Sequence, residues 1–206
     1  MDHATGDYIT FIDADDYVKE NYLKRLVTEC QAATAEIAIS DYYRYKEQTK
    51  MLYYHRAKKD YQVVDLALAE LLQRMNKLEF TTVWGKLFQR TLFERVRFLA
   101  GEDTMTVPKL YLQATKIVYV QEDLYCYRLT DDSVMSEYLT VTKIADFLRT
   151  IEENILDLTL SGHDIQHQKQ LYANYLATFA EYFESREMQT HPLYRKIKLR
   201  QFELGR

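Results

Sequence analysis

Proline and glycine are scarce in this chain, two and five among 206 residues. That scarcity excludes collagen-like and low-complexity architectures, and a hydrophobic share of 47% excludes a disordered chain. Only two cysteines are present, Cys30 and Cys126, which excludes a disulfide-stapled scaffold. One lies in an apolar helical stripe and the other in a strand-like run, where buried free thiols are expected. No apolar run approaches the roughly 18 to 20 residues of a membrane-spanning helix. Residues 1–20 carry acids where a secretory signal needs a basic start and an apolar centre, so no signal is expected. A reducing cytoplasm fits these absences. A positive excess is missing as well: the net charge of −4 argues against generic nucleic-acid binding. Only the final stretch, HPLYRKIKLRQFELGR, is locally basic and suited to peripheral contact with an acidic surface such as the inner face of a membrane.

What the chain has in abundance is tyrosine, 18 residues, used for core and interface packing or, less commonly, for stacking on sugars or bases. Tyr8–Ile12 reads as a short buried strand, and Tyr22, Leu23, Leu26, Val27 and Cys30 form one helical stripe. EIAIS at 36–40 predicts a strand, after which DYYRYKEQTKMLYYHR shows no clear period. VVDLALAELLQRM predicts a helix with Val64, Leu68, Leu71, Leu72 and Met75 on its apolar side. The segment TTVWGKLFQRTLFERVRF passes through Gly85 into a helix-like stretch, and KIVYV and LYCYR predict two further strands. From about residue 140 the pattern becomes helical: Ile144, Leu148, Ile151, Ile155 and Leu158, then Tyr172, Leu176, Phe179 and Phe183, on either side of SGHD. Residues 1–138 are therefore expected to form an α/β unit and 139–206 a helical appendage.

GDYITFIDADDY, residues 6–17, places three aspartates where the first strand ends. Residues two apart in an extended chain share a side, so Asp13 and Asp15 can converge on a divalent cation such as Mg²⁺ or Mn²⁺, which in turn neutralises a diphosphate. An EF-hand starting at Asp13 would need glycine and glutamate where Val18 and Lys24 stand. An aspartyl-phosphate phosphatase also begins with a strand and an Asp-x-Asp pair, but Tyr17 departs from its pattern. The plainest alternative is a solvated acidic turn in which Asp16 caps the following helix. His163 and His167 are four apart without a third ligand nearby, which favours a solvated helix face.

The order GDYITFIDADDY, VWGKLFQRTLF, then FLAGEDTMTVPKLYLQATKIVYVQEDLYCYRLTDDSVMS resembles the later part of the family 2 glycosyltransferases of the GT-A fold, over about residues 3–136. The resemblance implies a partial GT-A (nucleotide-diphospho-sugar transferase) sheet with flanking helices. It implies that Asp13 and Asp15 bind the metal and the donor diphosphate, that Asp103 is the general base with Glu102 beside it, that Trp84 borders the acceptor, and that Arg128 lies near the phosphates. The implied reaction is inverting and metal-dependent. Its donor would be a nucleotide-sugar, a UDP-sugar first among them, and its acceptor a glycan or glycoconjugate, as in bacterial polysaccharide or surface-glycan synthesis. Members of the family carry a further nucleotide-binding portion ahead of the metal strand. Its absence here is expected to leave Tyr8–Ile12 as a sheet edge that promotes self-association. Each residue also has a plainer use: Trp84 in the core, Lys86 as a solvated helix residue, Glu102 and Asp103 as helix caps, Arg128 paired with Asp131 or Asp132. A second class of function is a non-catalytic interaction module on the same scaffold.

Overall fold

The computed structural model describes residues 3–54, 62–75, 77–94, 96, 103–129 and 139–205. It divides into two compact units, Met1–Glu137 and Tyr138–Arg206. The first unit is built on one mixed sheet of β1 (Tyr8–Thr10), β2 (Tyr17–Val18), β3 (Ile37–Lys46), β4 (Met51–Tyr54), β5 (Val63–Leu66), β6 (Lys86–Gln89) and β7 (Ile117–Leu129). Its helices are α1 (Tyr22–Ala33), α2 (Leu68–Gln73), α3 (Leu78–Thr81) and α4 (Asp103–Gln113), with a turn of 3-10 helix at Arg90–Phe93. The strand order is β1-β6-β3-β7-β2, with β4 beside β3 and β5 beside β7. The two long strands β3 and β7 run parallel; the other pairings are antiparallel.

Alternation along the central strands divides the core between two faces. Ile37 and Ile39 of β3 join Ile117 and Tyr119 of β7 beneath Val107 and Leu110 of α4. Ala38, Val118 and Val120 point the other way, into a cluster with Tyr22, Leu26 and Cys30 of α1. Both cysteines are buried and free.

Four sequence expectations are corrected by pairing across the sheet. The aromatic stretch after Ser40 is no irregular excursion but continues β3, and register shifts around Ser40, Asp41 and Tyr42 hide its alternation. Val63–Leu66, expected in a helix, pairs with Ile117–Val120 as β5, leaving only Leu68–Gln73 helical. Lys86–Gln89, expected to be helix-like, is β6, held between β1 and β3. Gly85 makes the turn into it at φ +68, in the left-handed region where glycine carries no Cβ penalty. KIVYV and LYCYR are one continuous strand, β7. The first strand ends at Thr10, with Phe11 bridged to Trp84, and β1 hydrogen-bonds a strand on one side only among the described residues.

The second unit consists of α5 (Val141–Leu160), α6 (Gln166–Glu184) and α7 (Pro192–Leu204). The basic stretch is α7, with Pro192 in its first turn and the His191 Nδ1 accepting the Leu193 N–H at 3.1 Å. Ile144, Leu148, Leu176, Phe183 and Ile197 form its core. Glu152 of α5 accepts hydrogen bonds from Tyr172 of α6 at 2.6 Å and from Lys196 and Arg200 of α7 at 2.7 and 3.0 Å, joining the three helices. No helix among the described residues is long and apolar enough to cross a membrane.

Candidate functional site

Beyond β1 the chain does not stay extended. The Asp16 N–H closes a turn onto the Asp13 carbonyl at 3.1 Å, so Asp13 and Asp15 share a tight turn instead of one side of a strand. Asp16 is not a helix cap either. It is the buried member of the cluster, and its carboxylate accepts the Tyr125 hydroxyl at 2.7 Å and the Arg128 N–H at 2.8 Å. The Tyr125 hydroxyl in turn accepts the Asp13 N–H at 3.1 Å. One tyrosine of β7 therefore fixes both ends of the aspartate turn. Truncating Asp16 would leave the buried Tyr125 hydroxyl and the partly buried Arg128 N–H without their acceptor, the buried donor alone costing about 1–3 kcal/mol.

The remaining two aspartates are exposed, and Asp15 has no hydrogen bond or ion pair among the described residues. Although Asp13 as a whole is exposed, its carboxyl is partly screened from water and is pushed up to about 6, first by that desolvation and then by the carboxylates of Asp16, Asp103 and Asp15. Asp103 thus faces the same charge cluster, although it comes from α4. Its carboxylate accepts the Val83 N–H at 3.3 Å. Burial raises Asp103 above its ordinary value against the opposing pull of Val83 and Lys86. A raised carboxyl is a stronger base than an ordinary one.

Trp84 is 4% exposed, stacked on Tyr125 and Tyr127 with ring centroids 4.6 and 5.7 Å away and edge-on to Tyr42 at 5.2 Å. Its indole is spent on holding Tyr125, with little surface left for a sugar. Arg128 lies over the Tyr17 ring at 5.6 Å and donates to Glu47 at 3.2 Å, while its buried Nε has no partner among the described residues. Glu102, Asp131 and Asp132 lie outside the described residues. Sequence reasoning passed over Tyr125 and misread Lys86, which is fully buried on β6. A lysine inside the apolar run VWGKLF was the available signal, since lysine is almost never buried unpaired.

No group of three or more His, Cys, Asp or Glu among the described residues is arranged to hold a metal. A cation carried by a diphosphate and water needs only one or two protein carboxylates to complete its shell, a number that Asp13 and Asp15 could supply. Such a cation would offset the desolvation that chiefly raises Asp13 and the repulsion of its neighbouring carboxylates that adds to it. Because the folded value of Asp13 lies above its ordinary 3.8, the native chain binds that proton more tightly than the unfolded one. Its contribution to stability is full below about 3.8 and is lost as pH rises through about 6. Asp13→Asn is therefore expected to stabilise the metal-free protein at pH 7.5. Discounted for solvent screening, the gain is about 1 kcal/mol, or roughly 2–4 °C in Tm. Calorimetric melting at pH 7.5 and pH 4 checks this, with the gain absent at the lower pH.

Residues 1–99 match the family described as Glycosyl transferase family 2. Glycosyltransferase GlyG of Streptococcus pneumoniae serotype 4 (strain ATCC BAA-334 / TIGR4) is 30% identical over 206 residues, covering 96% of this chain and 68% of GlyG. Glycosyltransferase GlyA of the same organism is 27% identical over 210 residues, covering 98% of this chain and 30% of GlyA. Residues 1–349 of S. aureus TarS, solved in complex with UDP-GlcNAc, match with a TM-score of 0.63 at 15% identity, over 98% of this chain and 57% of that one. The chain thus spans just over two thirds of GlyG, under a third of GlyA and 57% of the solved TarS chain.

Proposed function

The chain belongs to glycosyl transferase family 2, and on that premise we propose that its aspartate cluster binds the diphosphate of a nucleotide-sugar and that Asp103 activates the acceptor. The observation that carries this reading is the convergence of Asp13, Asp15 and Asp16 from the β1 turn with Asp103 from α4, felt at the Asp13 carboxyl. The complex of TarS with UDP-GlcNAc supports a UDP-sugar as donor. Asp15 and Asp13 hold Mg²⁺ or Mn²⁺, which when bound supplies positive charge to the diphosphate.

Asp103 removes the proton of an acceptor hydroxyl on a glycan or glycoconjugate. The hydroxyl oxygen forms a bond to the anomeric carbon as the bond from that carbon to the diphosphate oxygen breaks. The electron pair leaves with the nucleoside diphosphate, and the stereochemistry inverts. Asp16 and Tyr125 hold the turn rigid, so the carboxylates need no rearrangement during transfer. Arg128, at the rim beside Tyr17, offers its guanidinium to the phosphates, and Glu102 and Trp84 complete the acceptor side, Trp84 by supporting Tyr125 from the core. The surroundings are cytoplasmic, in bacterial polysaccharide or surface-glycan synthesis. On α7, Arg195 and Lys198 flank the exposed Leu199 and Phe202, a pairing suited to the surface of an anionic membrane. The side of β1 that pairs with no strand among the described residues suits a further strand, including that of a second copy.

Isothermal calorimetry with UDP tests the reading. Saturable binding is expected with Mn²⁺ present, weakening roughly tenfold or more, about 1.4 kcal/mol, when the metal is chelated. Absence of any nucleotide heat with Mn²⁺ would favour the non-catalytic interaction module.

A further inference from the structure

The reaction above leaves one costly group unused, the ammonium of Lys86, which is fully buried. A buried charge persists only where partners compensate its lost hydration. The Nζ of Lys86 donates to the Thr82 carbonyl and, at 3.4 Å, to the Trp84 carbonyl. Between those residues, the Val83 N–H points to the Asp103 carboxylate at 3.3 Å. One three-residue turn is thus gripped from two sides, its outer carbonyls by an ammonium and its middle amide by the carboxylate assigned as base.

The charged groups facing Lys86 are Asp103 of α4 and Glu79 of α3, the latter 2% exposed. Both carboxylates favour the charged form of Lys86, and Asp103 in turn is held down by that ammonium against its own burial. Thr10 and Tyr22 donate to the main-chain carbonyl of Lys86 at 2.6 and 3.3 Å, which holds its backbone independently of the ammonium and leaves the ammonium to the turn.

We propose that Lys86 is a positioning residue for the transfer step: it fixes the Thr82–Trp84 turn and through it sets the orientation and charge of the Asp103 carboxylate. This rests on the assignment of Asp103 as the base. Burial drives Lys86 down to about 7 while Asp103 and Glu79 oppose that fall. The charge of each group therefore favours the charge of the other.

Lys86→Met keeps the length of the side chain and removes its charge. In that variant the Asp103 carboxyl, followed by ¹³C NMR, is expected to titrate about one pH unit higher, because a positive neighbour is lost. The acid limb of kcat should move upward by the same amount and kcat should fall roughly tenfold, with the donor KM within about twofold. Lys86→Arg should restore the position of the limb. A purely structural lysine would lower Tm and leave both titrations where they were, and that result would overturn the proposal. If Lys86→Met does not fold, ¹⁵N NMR of the lysine ammonium in Asp103→Asn replaces it. Loss of the carboxylate should lower the Lys86 midpoint by about one pH unit, and an unmoved midpoint refutes the coupling. Turnover in Asp103→Asn reports on the base assignment separately: if it persists, the base is another group, whatever the two titrations show.

Discussion

Asp103→Asn is expected to cut sugar transfer by about 10²–10⁴-fold, the usual contribution of a positioned general base, while changing donor affinity by less than about twofold. The asparagine carbonyl can still accept the Val83 N–H that Asp103 accepts at 3.3 Å, so the turn and the start of α4 should keep their geometry. What disappears is the lone pair that takes the acceptor proton. Asparagine also removes one of the three carboxylates that raise Asp13, so cation and donor binding should weaken slightly at most. The check is a pair of measurements on one sample, transfer rate with acceptor and nucleotide affinity without it, in a length of chain that turns over. Equal losses in both would mean a binding role, and retained transfer would remove Asp103 from the chemistry.

How far this site could be read from the sequence depended on how local its chemistry is. The strand-end aspartates declared themselves, because an acidic cluster after an apolar strand is a contiguous signal. The role of Asp16 did not, since its partners Tyr125 and Arg128 are 109 and 112 residues away in the chain and only the pairing of β2 with β7 brings them together. The plainer use of Lys86 as a solvated helix residue fails for a related reason. Its neutralising carboxylates sit on two different helices, so its local sequence shows the charge and not the partners. In the fold, α1, α5 and α6 were legible from helical spacing, which is local. β5 was not: Val64, Leu68 and Leu71 satisfy helical spacing, and the ladder to β7 overrides it over Val63–Leu66. β3 was read too short because its bulge breaks the alternation on which a strand is recognised.

Asp15→Ala should abolish Mn²⁺-dependent nucleotide binding, a loss of roughly a hundredfold or about 2.7 kcal/mol, at almost no expense to the fold. The side chain is exposed and makes no hydrogen bond or ion pair among the described residues, so its removal belongs with surface substitutions that change stability by no more than about 0.5 kcal/mol. The proposed cation role of Asp15 thus predicts a large loss of binding without a loss of stability. Asp16→Ala is the contrasting control. It would also lose binding, but by releasing Tyr125 and Arg128 and loosening the turn, and its Tm should fall clearly. Calorimetric titration of UDP with Mn²⁺, together with melting curves of the two variants, separates a ligand from a support. Unchanged affinity in Asp15→Ala would leave Asp13 as the sole protein carboxylate on the metal, and an Asp15→Ala that melts as early as Asp16→Ala would place Asp15 in the scaffold.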